Sequence, residues 1–195
     1  FVCGKKLIFR ITPMSKIAKN LALIKQQIPD GVTLIAVTKT ASPEQIMEVY
    51  HAGHKIFGEN RPQELVKKFE LLPKDIEWHM IGHLQTNKVK YVVPFIKLIH
   101  SVDSVKLLHE IDKCASRSQK IGSATLTTRI DCLLQVHIAM EETKFGFSFD
   151  EIKEVFHSGV LKTLGHIRIR GLMGMASLTL DRSQLSNEFR LLKEL

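Results

Sequence analysis

Leu133-Leu134-Gln135-Val136-His137-Ile138 is the stretch on which the architecture turns. Successive side chains of a strand point to opposite faces. Leu134, Val136 and Ile138 therefore share one face, and Leu133, Gln135 and His137 share the other. In the next strand Arg168 and Arg170 alternate with Ile167 and Ile169. A doubly wound parallel sheet is covered by helices on both sides, and its strands read as almost unbroken apolar runs. Strands with one polar face fit a barrel better, because its interior keeps polar side chains near one end for a ligand.

Working outward, the same strand-then-helix unit recurs. Ser15 opens a helical pattern through Ile17, Leu21, Ile24 and Ile28, which Pro29-Asp30-Gly31 stops. Val32 to Thr38 is short, apolar and β-branched, as a buried parallel strand should be, and it ends at Lys39. Ser42-Pro43-Glu44-Gln45 then reads as a capping box with proline at the first helical position. His54 to Gly58 is the second strand, followed by a helix over Arg61 to Leu71. Glu77 to Gly82 is the third, with a short helix from Asn87 to Val93, and Lys97 to Ser101 is the fourth, with a helix from Asp103 to Ser116. Asp131 to Ile138 is the fifth, and the capping box at Ser148-Phe149-Asp150-Glu151 starts its helix. Ile167 to Met173 is the sixth, with Gln184 to Leu195 as its helix; polar Gln119 to Arg129 reads as a loop. Strands alternating with helices imply a parallel sheet with right-handed crossovers.

The fold class expected is therefore α/β, a TIM-type (β/α) barrel. A full barrel has eight units in about 250 residues, whereas six units occupy these 195 residues and the last helix runs into Leu195 with no stop signal. An incomplete barrel is expected: a barrel domain over 14–195 lacking its C-terminal end, preceded by an extra segment at 1–13 without clear periodicity.

Composition narrows the function. The chain is 44% hydrophobic and 25% charged, as globular proteins are. No run approaches the roughly 18 apolar residues of a membrane helix, and Leu7-Ile8-Phe9 is too short for a secretory signal, so a cytoplasmic location is expected. Cys3, Cys114 and Cys132 form no CxxC pair, which argues against a disulfide framework or a zinc knuckle. His79 and His83 are four apart but lack the glutamate of a helical HExxH, so no metal site is expected. The net charge of +8 is spread without basic runs, which favours solvated helix faces over nucleic acid and suits a phosphorylated ligand.

Barrel sites lie at the C-terminal ends of the strands. Lys39 stands out there. A lysine ending an apolar strand is expected to be partly desolvated, which lowers its pKa and frees the amine to attack an aldehyde; a strand-end lysine that snorkels to solvent is the other reading. Asn60 suits a ligand hydroxyl or caps the helix beside it. Met173 and Met175 can face a flat ring or fill core, and Gln135 and His137 can line the barrel or satisfy its interior. No P-loop, GxGxxG or GxSxG motif occurs.

Several segments, in order, resemble the pyridoxal phosphate homeostasis family (YggS/PROSC type). These are Ile35-Ala36-Val37-Thr38-Lys39-Thr40, Phe57-Gly58-Glu59-Asn60-Arg61-Pro62-Gln63-Glu64, and Trp78-His79-Met80-Ile81-Gly82-His83-Leu84-Gln85-Thr86-Asn87-Lys88. Ser101-Val102-Asp103-Ser104, Lys144-Phe145-Gly146-Phe147 and Gly171-Leu172-Met173 complete the series. The resemblance implies a barrel related to the N-terminal domain of alanine racemase. It implies that Lys39 holds pyridoxal 5′-phosphate (PLP) as a Schiff base, with Asn60 and His79 at or near the cofactor and Met173 close by. It further implies PLP homeostasis without an established catalytic reaction, in a monomer that delivers PLP to apo PLP-dependent enzymes. The chain departs from the family at His137, where asparagine is usual, in Gln119 to Arg129, and in lacking the closing Gly-Ser-Thr and VRIG segment expected to hold the phosphate.

Other readings are a PLP-dependent racemase-like enzyme, a Schiff-base aldolase and an RNA-binding protein. A racemase needs a second base, usually a tyrosine from a further domain, whereas Tyr50 and Tyr91 both fall in expected helices. No acid/base pair near the strand ends supports the aldolase, and no basic run supports RNA binding.

Overall fold

The computed structural model describes residues 15–120, 129–139 and 145–195. The expectations for 1–13, for most of Gln119 to Arg129, and for Lys144 lie outside the described residues.

The order of elements is α1 (Lys16–Gln27), β1 (Ala36–Val37), α2 (Pro43–His51), β2 (Ile56–Glu59), α3 (Pro62–Leu71), β3 (Glu77–Met80), α4 (Val89–Val92), β4 (Leu98–Val102), α5 (Val105–Lys120), β5 (Ile130–Val136), α6 (Phe149–His157), β6 (Ile167–Gly174) and α7 (Arg182–Glu194). Six strands form one sheet in the order β1-β2-β3-β4-β5-β6, every pair parallel. This is the strand order of a (β/α) barrel with six units, open between β1 and β6 among the described residues. Both expected capping boxes are present. Ser42 N–H donates to the Gln45 side chain at 2.9 Å and Ser148 N–H to Glu151 at 2.7 Å, so helix starts at α2 and α6 satisfy their own free amides.

Hydrogen-bond register separates the two faces. Parallel partners Val37–Gly58–His79–Leu98–Asp131–Arg168 form one row across all six strands. That row starts at the last residue of β1 and ends at the second residue of β6, the stagger that strand tilt requires in a barrel. It faces inward. The neighbouring rows bury Phe57, Trp78, Met80, Ile99, Cys132, Leu134 and Val136 against the helices as the core. The alternation expected at 133–138 is therefore observed: Leu134, Val136 and Ile138 are buried in that core, and Gln135 lies on the inner side.

Three expectations change. Only Ala36–Val37 of the Val32 to Thr38 run pairs as strand, because β1 has a neighbour on one side only. Gln119 and Lys120 continue α5 rather than opening a loop. Arg168 does not serve the ligand end: its guanidinium grips Asp131 with two bonds of 2.7 and 2.9 Å near the amino ends of β5 and β6.

Candidate functional site

The carboxyl ends of the strands form a rim. Lys39 occupies the turn after β1, Asn60 follows β2, Gly82 and His83 follow β3, Ser101 to Asp103 close β4, His137 follows β5, and Met173 lies at the end of β6. Thr38 N–H donates to the Gly58 carbonyl at 2.9 Å, so the chain stays in register with β2 up to the residue before Lys39. Ile81 N–H does the same to Glu59 at 3.0 Å. A Cβ on Gly82 would run into the Asn60 carbonyl oxygen and lie 2.8 Å from its Cα, so only glycine lets the loop after β3 press against Asn60. Ser101 Oγ then ties down the Gly82 carbonyl at 2.5 Å.

Lys39 is exposed, which corrects the expected desolvation: the turn carries its side chain out of the sheet instead of leaving it at a buried strand end. Among the described residues, neither its amine nor the Asn60 side chain has a hydrogen-bond or ion-pair partner. Asn60 does not cap α3. Arg61 is the N-cap residue and no side chain caps the helix; the Glu59 carboxylate instead accepts the amides of Asn60 at 2.7 Å and Arg61 at 3.3 Å.

His79 is buried on the inner face, and its Nδ1 lies 3.0 Å from Nε2 of His100 on β4. Burial depresses both imidazoles to about 4, with the charges of His100 and Lys97 adding to the effect at His79, so the pair is neutral at physiological pH. Met173 is half-buried beside Gln135 in the β5–β6 register. Gln135 Nε2 donates to the Phe145 carbonyl at 2.8 Å, and Phe147 bridges to β5, so the Phe145-Gly146-Phe147 segment is fastened to the rim. His83 stacks on Phe145 with ring centroids 4.1 Å apart and bonds Asp103 at 3.0 Å.

One feature went unrecognised in the sequence: buried Lys68 donates to Glu59 Oε2 and to the Thr38 carbonyl, both at 2.6 Å. Burial would raise the Glu59 pKa, but Lys68, the Asn60 amide and the Thr38 hydroxyl outweigh it and hold the carboxyl below its usual range. The available signal was spacing. Lys68 is three residues after Leu65 on the buried side of α3, where a charge needs a partner.

The residues fit a pyridoxal-type ligand: an unpaired primary amine after β1, an unpaired amide after the neighbouring β2, and a neutral imidazole on the inner face. A cavity of about 460 Å³ nearby is lined by Asp103, Glu151 and Glu154 among others. Its carboxylates oppose an anionic phosphate, so it is not the better site. Among the described residues no cluster of three metal-ligating side chains occurs.

The family model of the alanine racemase N-terminal domain matches residues 13–194. The Aquifex aeolicus pyridoxal phosphate homeostasis protein is 39% identical over 163 residues, covering 83% of this chain and 67% of that protein. The Schizosaccharomyces pombe protein of the same name is 33% identical, over 93% of this chain and 76% of that one. PipY of Synechococcus elongatus, solved with PLP bound, superposes with a TM-score of 0.76 at 33% identity, covering 92% of this chain and 79% of its own. Alanine racemase of Clostridium difficile shares the fold, with a TM-score of 0.69 at 13% identity over 91% of this chain and 46% of its own. The chain belongs to the alanine racemase N-terminal domain family and, within it, to the pyridoxal phosphate homeostasis proteins.

Proposed function

We propose that the chain binds PLP as a Schiff base on Lys39 and serves intracellular PLP homeostasis, carrying the cofactor without turning over a substrate of its own. The observation that carries this reading is the unpaired amine of Lys39 at the barrel rim, two residues beyond Val37, which shares one row of the sheet with Gly58 and His79. PLP supplies an aldehyde that condenses with a lysine amine, an anionic phosphate and a flat pyridine ring. Lys39 holds the aldehyde carbon. Asn60 offers a donor and an acceptor to the ring hydroxyl, His79 presents a neutral ring nitrogen, and Met173 packs against the flat face. The net charge of +8 favours the phosphate.

The barrel domain runs over 14–195 in this reading, and the chain acts as a cytoplasmic monomer that passes PLP to apo enzymes. No helix among the described residues is long and apolar enough to cross a membrane.

The racemase-like alternative needs a second base facing the ligand. Tyr50 instead bonds the Asp75 carboxylate at 2.9 Å on α2, and Tyr91 lies under Lys90 at 4.9 Å on α4; both helices pack outside the sheet. Identity of 39% and 33% to pyridoxal phosphate homeostasis proteins, against 13% to the racemase, supports a carrier over a racemase. Titration with PLP followed by visible absorbance tests the proposal. The parent develops an imine band and Lys39→Ala does not; a band of equal size in Lys39→Ala rules out Lys39 as the site.

A further inference from the structure

Lys68 and Glu59 form an ion pair almost wholly removed from water, with side chains 8% and 0% exposed. Glu59 receives four donors. Oε2 accepts Lys68 Nζ at 2.6 Å and Thr38 Oγ1 at 3.0 Å, and Oε1 accepts the amides of Asn60 at 2.7 Å and Arg61 at 3.3 Å. Lys68 has a second bond, to the Thr38 carbonyl at 2.6 Å. Such a pair is nonetheless a poor way to gain stability. Desolvation of two charges cancels most of their attraction, and an apolar pair of similar size would hold the fold as well.

What the pair supplies is position. The Thr38 carbonyl belongs to the peptide bond whose nitrogen is Lys39, and that unit is planar. Pinning the carbonyl therefore sets the direction in which Lys39 leaves β1. The Asn60 amide belongs to the peptide that follows Glu59, so the same carboxylate sets how Asn60 leaves β2. One ion pair thus holds both peptides that launch the two unpaired side chains of the rim. The positive and negative charges cancel locally, leaving no net buried charge behind the amine.

We propose that Lys68, acting through Glu59, is the positioning residue of the Lys39 site: it fixes Lys39 and Asn60 in the mutual orientation that PLP needs, and it touches no ligand itself. This rests on the reading of Lys39 as the PLP lysine.

The test compares the parent with Lys68→Met and with Glu59→Met/Lys68→Met. Removing Lys68 alone orphans a buried carboxylate and strongly destabilises the fold; the double variant removes both charges and keeps the volume, so it decides the matter. In the double variant, thermal unfolding stays within a few degrees of the parent, while amide hydrogen exchange quickens at residues 38–40 and 60–61 and PLP affinity, read from the imine band, falls at least about tenfold because the reacting groups are misplaced. Unchanged exchange and unchanged affinity in the folded double variant would overturn the proposal and leave the pair a packing element. Failure of the underlying PLP reading looks different: the parent itself then forms no imine, while the exchange arm still reports whether the strap exists.

Discussion

Lowering the pH from about 8 to about 5 should cost this fold stability through one identified pair, His79 and His100. Both imidazoles are depressed by burial from 6.5 to about 4. Above 6.5 they are neutral whether the chain is folded or not, and their contribution is fully present. Between 6.5 and about 4 the unfolded chain takes up protons that the folded chain refuses, so stability is lost as pH falls through that window. Each pH unit below the unfolded value costs about 1.4 kcal/mol per ring, which gives about 2 kcal/mol for His79 at pH 5. His100 is only half-buried, and water reaching its ring reduces its share, so the pair contributes about 3 kcal/mol. For a chain of this size that corresponds to a fall of roughly 6–12 °C in Tm. Thermal unfolding of the parent and of His79→Gln/His100→Gln at both pH values isolates the effect, since other titrating groups subtract out. If the parent loses no more stability than the double variant, the rings are not held neutral by burial and the account of the inner face is wrong.

Other outcomes follow from local geometry. Gly82→Ala places a methyl group against Asn60 backbone atoms that cannot rotate away, which should cost about 1–3 kcal/mol in denaturant unfolding and weaken PLP binding with it. Ser148→Ala removes half of the α6 capping box and should lower the urea midpoint by the equivalent of about 1 kcal/mol with no change in slope. Burial pushes the Cys114 thiol up to about 11 and raises that of Cys132 as well, so neither should react with a thiol reagent at neutral pH until the protein is unfolded.

Much of this was legible in the sequence because it is local. The two capping boxes need only residues three apart, and the alternation at 133–138 needs only a period of two. Both survived intact in the structure. The ends of β1 were not legible, since pairing there depends on which strands lie alongside, a fact outside the segment itself. Arg168 illustrates the same limit: alternation put it on the inner face, but only the stagger of the sheet places it at the amino end with Asp131. At the rim, Lys39 and Asn60 could be named from strand ends, whereas the Glu59–Lys68 pair joins a strand and a helix nine residues apart and is recognisable only once α3 is known to turn Lys68 inward. The exposure of Lys39 was not legible, because a turn, and not the strand, carries it.

On this reading Lys39 forms a covalent imine with PLP. Incubating the protein with PLP, reducing with sodium borohydride and mapping the modified peptide by mass spectrometry tests it directly. One reduced pyridoxyl adduct is expected, on Lys39 and lost in Lys39→Ala. An adduct on other lysines with Lys39 unmodified, or none at all, would contradict it.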